Sequence, residues 1–275
     1  MLVNGIDLIK KANKEDFAIP AYNINNLEWT KFILEACNVD RSPVILGVSE
    51  SAVKYFGGYK TVYNVVNSLI KDLKIKVPVV LHLDHGKSFE SCKEAIDAGF
   101  TSVMIDASSK ELEDNIEITK KVVDYAAPKQ VNVEAELGAL EGEYTSADEA
   151  EQFVTETGVN TLAPAIGNKH GIYDKDYEID FELLGEICKK VKIPLVLHGA
   201  SGLDENKIKT AIFCGVSKIN INTDLQLIWS KSVRMFLQTN PKVYDPRKII
   251  KSGEDNFKSL IHYKNNILGS SNRAF

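Results

Sequence analysis

Eight short runs of apolar, largely β-branched residues punctuate the chain, and between most of them lie longer stretches in which apolar residues recur at helical spacing. Runs apolar on both alternating faces suit strands covered on both sides, as in a parallel sheet; a half-exposed antiparallel strand would alternate with polar residues. Parallel neighbours run the same way, so the chain must cross back between them, and the helical stretches supply that crossover. The runs are FAIPAYNI from Phe17, PVILGVS from Pro43, PVVLHLDHG from Pro78 and TSVMIDAS from Thr101. VNVEAELG from Val131, TLAPAIGN from Thr161, PLVLHGASG from Pro194 and SKININT from Ser217 complete the set. Helices with one charged and one apolar face are predicted over Glu28–Asp40, Ser88–Ala98, Glu111–Ala126, Asp180–Lys190 and Asp204–Cys214, with Ser88 and Asp204 as N-caps. Pro43, Pro78 and Pro194 each open a run, where a missing ladder donor costs little.

A doubly wound open sheet gives a similar alternation, but eight strands match a closed (β/α)8 barrel. Polar residues gather at the C-terminal ends of the runs, the face that carries chemistry in such barrels. No linker or low-complexity segment interrupts the series. The expectation is one α/β domain over residues 1–275, a (β/α)8 TIM barrel with an extra C-terminal helical tail.

At 275 residues and 44% apolar, the chain is long enough to bury one large core. Its 38 acidic and 33 basic side chains are interspersed and leave a net charge of −5, so no basic stripe offers itself to nucleic acid or anionic lipid. A small soluble ligand is the expected partner. No apolar run reaches the roughly 18 residues that span a bilayer, and the N-terminal stretch lacks a signal-peptide core, so a cytoplasmic protein is expected. Cys37, Cys92, Cys188 and Cys214 are far apart and form no CxxC pair; buried reduced thiols are the expectation.

Of the five histidines, His85, His170 and His198 fall at or just past the ends of the third, sixth and seventh runs, and each is followed by glycine. Strand ends converge on one rim of a barrel. Three imidazoles there supply the protein ligands of a catalytic zinc and leave a fourth position for substrate. Gly86, Gly171 and Gly199 would let backbone and substrate approach the metal. His82, inside its run, reads as a core residue or as one that orients a ligand, and His262 lies in the C-terminal helical region. Asp84, beside His85, is the acid/base candidate. Asp106 and Glu136 close the fourth and fifth runs, where oxygen ligands could hold a second or alternative metal. Lys169, after the sixth run, keeps a Schiff-base mechanism open, although three rim histidines would then be unexplained.

GASG at Gly199–Gly202 precedes a helix that starts near Asp204, and NINT at Asn220–Thr223 precedes another. This pair of loops is the usual phosphate site of a barrel, because amides at a helix start carry partial positive charge.

These motifs together resemble the class II fructose-bisphosphate aldolases, a family that includes the tagatose-bisphosphate aldolases. The likeness rests on AYNINNLEW, SPVILGVSE, HLDHG, EAIDAGFTSVMIDAS, VEAELG, HG at His170, LHGASG, SKININT and YDPRK. The resemblance implies zinc held by His85, His170 and His198, and a second divalent site at Asp106 and Glu136, with a monovalent cation also admitted. It implies that Asp84 acts on the C4 oxygen. Gly171, Gly199, Ala200, Ser201, Asn220, Ile221, Asn222 and Thr223 would hold dihydroxyacetone phosphate, while Ser49 and Arg247 would contact the other phosphorylated half. Zinc would polarise the ketone and stabilise the enediolate that forms as the C3–C4 bond of fructose 1,6-bisphosphate breaks, a step of glycolysis and gluconeogenesis. Family members are commonly dimers or larger, and the YDPRK arginine can reach a neighbouring site. Three other readings stay open: an aldolase for tagatose 1,6-bisphosphate, a metal-dependent barrel hydrolase, and a degenerate barrel that binds metal and phosphate with weak or altered activity.

One segment departs from the family pattern. ELG is usually followed by two glycines and then an acidic pair on a mobile loop; here it continues ALEGEYTSADEAEQF, with Glu141 at the first glycine position and a shorter loop. Glu143, displaced by one residue, is the expected proton-transfer group at C3. Glu143→Gln should therefore slow exchange of the C3 proton of dihydroxyacetone phosphate far more than Glu141→Gln, and equal rates in the two variants would reject the assignment.

Overall fold

A computed structural model describes residues 1–138, 144–169, 171 and 179–274. The strands are β1 (Ile19–Asn23), β2 (Val44–Ser49), β3 (Val79–Gly86), β4 (Ser102–Ile105), β5 (Asn132–Leu137), β6 (Thr161–Pro164), β7 (Leu195–Leu197) and β8 (Val216–Ile221). They pair in chain order and close, β8 against β1, into a parallel eight-stranded barrel. Each lies within a predicted run, except that β8 starts one residue early. The polar C-terminal ends of most runs have left the ladder and form the rim.

Helices cover the outside where expected. Leu27–Val39, Phe89–Ala98, Leu112–Ala126, Phe181–Val191 and Glu205–Phe213 match the predicted segments to within about a residue. Ser88 Oγ accepts from the Ser91 amide, and Asp204 Oδ1 accepts from those of Asn206 and Lys207, so both caps are made. Among the described residues no helix is long and apolar enough to cross a membrane.

Alternation along the strands sorts side chains between two interiors. Val79, Leu81 and Leu83 of β3 and Val133, Ala135 and Leu137 of β5 join the core between sheet and helices. Their neighbours face the lumen. At the lumen floor Ile19, Ala21, Ile45 and Val80 pack on Ile9 and Ala12 of the helix Gly5–Lys14, which plugs the barrel. Above that floor the lumen turns polar, with His82, Ser102, Glu134 and Lys218 all buried.

The C-terminal tail is docked rather than trailing. In the helix Glu254–Ile267, Phe257 and Ile261 are fully buried, and the Phe257 ring lies 4.7 Å from that of Trp29. Burial of each such side chain contributes about 1.5–3 kcal/mol. Asn265 donates to Asp40 Oδ2 at 2.7 Å and accepts from the Tyr22 hydroxyl at 2.8 Å, while His262 Nδ1 lies 2.7 Å from Asp40 Oδ1. His262 thus ties the tail to the helical layer. All four cysteines are free thiols, but only Cys37 and Cys92 are buried; Cys188 and Cys214 sit on the outer helical layer and are partly exposed, contrary to expectation.

A register shift separates Leu83 and Gly86 of β3 from Val103 and Ile105 of β4, so Asp84 and His85 together oppose Met104 alone. His85 adopts the left-handed conformation, with φ 50°. This bulge explains how adjacent residues both turn toward the rim, since consecutive side chains of a regular strand point to opposite faces. It also assigns Gly86 a different purpose from the one its sequence suggested. Gly86 does not open a path to the rim; a Cβ there would stand 2.7 Å from the Met104 carbonyl oxygen and 2.9 Å from a Leu83 methyl. Gly86→Ala should cost about 1–3 kcal/mol through overpacking, read as a lower midpoint of denaturation; a change of only a few tenths would show that the bulge yields freely.

Candidate active site

The C-terminal rim surrounds a cleft of about 550 Å³. Asp84 and His85 from the β3 bulge reach it, joined by Asp106 just past β4 and Glu136 of β5. His198, one residue past β7, lies beneath the cleft floor with no exposed surface. His85 Nε2 and His198 Nδ1 are 3.1 Å apart. Ligand atoms of Asp84, His85 and His198 lie within 4.8 Å of one another, and so do those of His85, Asp106 and Glu136. His170, Glu141 and Glu143 lie outside the described residues.

Each imidazole has its far side engaged. His85 Nδ1 lies 3.0 Å from Asp106 Oδ2, and His198 Nε2 lies 2.8 Å from Glu134 Oε1. With those nitrogens directed at carboxylates, the other nitrogen of each ring faces its neighbour across the site. Asp84 is held on both oxygens: the Asn23 amide donates to Oδ2 at 2.8 Å and the Asn220 amide to Oδ1 at 3.1 Å.

The charges are balanced against burial. Burial pushes the Asp84 carboxyl up, but the imidazoles of His85 and His198 and the Lys218 ammonium outweigh it and hold the group at about 2. Burial lowers His85, yet the bond to Asp106 and the charges of Asp84 and Glu136 carry it up to about 9. Asp106 is pushed up by burial and pulled below the usual carboxylate range by its bonds to His85, Lys87 and Ser108. Glu136 goes the other way, raised to about 8 by burial, which the nearby His85 only partly offsets. Its Oε2 is buried without a hydrogen-bond partner, 3.7 Å from His85 Nδ1. A buried acceptor left so, beside two imidazoles and two further carboxylates, fits a site built for a divalent cation. The separation of the two facing nitrogens also suits joint ligation, given Zn–N lengths of about 2.0–2.1 Å.

The opposite wall carries the loops after β7 and β8. Gly199, Ser201, Asn222 and Thr223 line the cleft, as does Gly171, whose φ of 102° favours glycine. The two expected helix starts differ. Asp204 already caps the helix Glu205–Phe213, which leaves its first amides unavailable to an anion. The helix Thr223–Thr239 is not capped by its own Asn222, whose Oδ1 is buried without a partner among the described residues; Ser201 Oγ accepts from the Asp224 amide at 3.4 Å, and the N-terminus opens at the cleft.

Several expected residues are placed differently. Ala200 is fully buried, and Ile221 packs its side chain in the core between sheet and helices, so neither side chain lines the cleft. Asn220 lines the cleft as expected, with its amide donating to Asp84 Oδ1. Ser49 lines the cleft and also caps the helix Glu50–Phe56. Arg247 is highly exposed, paired with Asp245 on the helix Pro246–Lys251, and does not line this cleft. Lys169 is likewise not among the described residues that line it.

Sequence reasoning passed over Asn23, Glu134 and Lys218. A signal existed for the last two, which share strand parity with Glu136 and Asn220 and so had to face the lumen. Lys218 Nζ donates to both oxygens of Glu134 and lies 3.4 Å from His82 Nε2. His82 is held neutral, well below its usual range, first by burial and then by the Lys218 charge. It is linked to His198 through Lys218 and Glu134 in turn, and is bonded to Ser102 through Nδ1.

The family model for class II fructose-bisphosphate aldolase matches residues 3–273. A fructose-bisphosphate aldolase of Geobacillus stearothermophilus is 48% identical over 99% of both chains, and one of Staphylococcus epidermidis 46% identical over the same share. The crystal structure of the YdjI aldolase from Escherichia coli K12 superposes with a TM-score of 0.89 at 34% identity and covers both chains fully. Class II aldolases are generally metal-dependent, in keeping with the two ligand clusters. A match of that length, with relatives close to half identical throughout, makes this chain a member of the class II fructose-bisphosphate aldolase family, an aldehyde-lyase.

Proposed function

We propose that this chain, acting as one barrel domain, reversibly cleaves fructose 1,6-bisphosphate to dihydroxyacetone phosphate and glyceraldehyde 3-phosphate with a catalytic zinc. The observation that carries the reading is the pair of imidazole nitrogens 3.1 Å apart beside an ionised Asp84, in a chain whose relatives bear the name of that activity. His85, His198 and His170 would hold the zinc, with Asp106 and Glu136 offering oxygen to a second divalent ion. The bound metal would supply a Lewis acid for the substrate ketone.

The chain's own residues supply the rest. Asp84, oriented by Asn23 and Asn220 and free of a proton at neutral pH, accepts the proton of the C4 hydroxyl as the carbon–carbon bond breaks. The start of the helix Thr223–Thr239, with Gly171, Gly199 and Ser201, receives the phosphate of the dihydroxyacetone half. Ser49 faces the other half across the cleft. Glu143 would return the proton at C3.

A Schiff base finds no support in the geometry. Lys169 is not among the described residues that line the cleft, and Lys218 is ion-paired with Glu134. The exposed Arg247 suits a contact made to a second copy, consistent with a homodimer or larger assembly. A cytoplasmic location accords with the interspersed charge and with the described residues, among which no helix is long and apolar enough to cross a membrane.

Metal analysis should find zinc, fructose 1,6-bisphosphate should be cleaved faster than tagatose 1,6-bisphosphate, and chelation should abolish turnover while borohydride with substrate traps no adduct. Persistent activity after chelation together with borohydride inactivation would reverse the mechanism. Zinc at about a hundredfold its Kd should add about 2.7 kcal/mol to the stability of the stripped protein, a gain that His85→Ala should largely remove.

A further inference from the structure

Beneath the cleft, and outside the groups assigned above, the lumen buries an ion pair. Lys218 Nζ donates to Glu134 Oε1 at 2.8 Å and to Oε2 at 2.7 Å, and the two residues are 1% and 0% exposed. Removing two ions from water is costly, and a well-packed apolar pair of the same volume is often at least as stable. The pair therefore asks for a purpose beyond stability. Glu134 Oε1 also lies 2.8 Å from His198 Nε2, equally buried.

We infer that Glu134 is a positioning residue for His198, fixing its imidazole with the proton on Nε2 and the Nδ1 lone pair turned toward the cation site. The inference rests on the metal reading given above. An ionised carboxylate only accepts, so the nitrogen facing it must donate. A neutral imidazole has one proton, and once Nε2 carries it, Nδ1 is a ligand. Lys218 only donates; bonded to both Glu134 oxygens, it locks the carboxylate in the rotamer that faces His198 Nε2. The ammonium is boxed in turn, because His82 Nε2 faces it at 3.4 Å while His82 Nδ1 and the Asn132 amide both meet Ser102 Oγ, at 2.7 Å and 3.1 Å. A chain of fixed donors and acceptors thus runs from the lumen interior to the metal-facing nitrogen. With the opposite tautomer His198 would present N–H to the cation and could not bind it.

The test compares wild type, His198→Ala and the double variant Glu134→Gln with Lys218→Met, which replaces the ion pair by neutral groups of similar volume. Zinc affinity is read by competition with a chromophoric chelator, fold by melting of the stripped protein, and the His198 tautomer by 15N NMR of the stripped protein. The double variant should melt near wild type yet bind zinc about 10–100-fold more weakly, and wild-type His198 should carry its proton on Nε2. Unchanged zinc affinity in the folded double variant, or a wild-type proton on Nδ1, overturns the inference; a weakened His198→Ala then leaves the metal reading standing. If His198→Ala binds zinc as tightly as wild type, the metal reading fails and takes this inference with it. Should the double variant not fold, the wild-type tautomer decides.

Discussion

Closure of the sheet is the constraint on which everything else rests. A barrel of eight parallel strands has no edge, so every inward side chain is committed to a lumen that must be filled and whose polar groups must find partners inside it. The chain meets this in layers: an apolar floor plugged by the helix Gly5–Lys14, a polar layer built on the Lys218–Glu134 ion pair, and a rim of imidazoles and carboxylates. Polarity rises toward the face where the strands end. The charged rim rests on a layer that is itself charged, the Lys218–Glu134 pair standing directly behind His198.

Much of this was legible in the residues. The strands could be read from runs apolar on both faces, their number argued for closure, and histidines at three of their ends pointed to a cation. The β3 bulge was not legible, because a strand pattern assumes alternation and cannot show that Asp84 and His85 share one partner residue. For the same reason Gly86 was credited with making room for substrate when it makes room for the Met104 carbonyl. Asn23 closes a run without any local mark of function; only the closing of the barrel brings its amide to Asp84.

The loops after β7 and β8 show where local and tertiary information part. Both precede helices, and sequence treats them as equal anion sites. Asp204 satisfies one helix start from within, whereas Asn222 does not cap its own helix, and the second start opens at the cleft with the Asp224 amide held only at 3.4 Å by Ser201 Oγ. Caps are chosen by local side chains, but whether an uncapped end is useful depends on where the barrel aims it.

The docking of the tail has a consequence for synthesis on the ribosome. Residues 254–274 cover Trp29 and Phe32, and their backbone joins that of Ala18, Asp40 and Arg41 through Leu268, Asn272 and Ala274. The outermost packing of β1 and the helix Leu27–Val39 is thus supplied by segments that follow all eight strands in the chain. Until those segments emerge from the ribosome, a nascent chain holds β1 without its β8 neighbour and the helix Leu27–Val39 without the Phe257 ring that packs on Trp29 and Phe32.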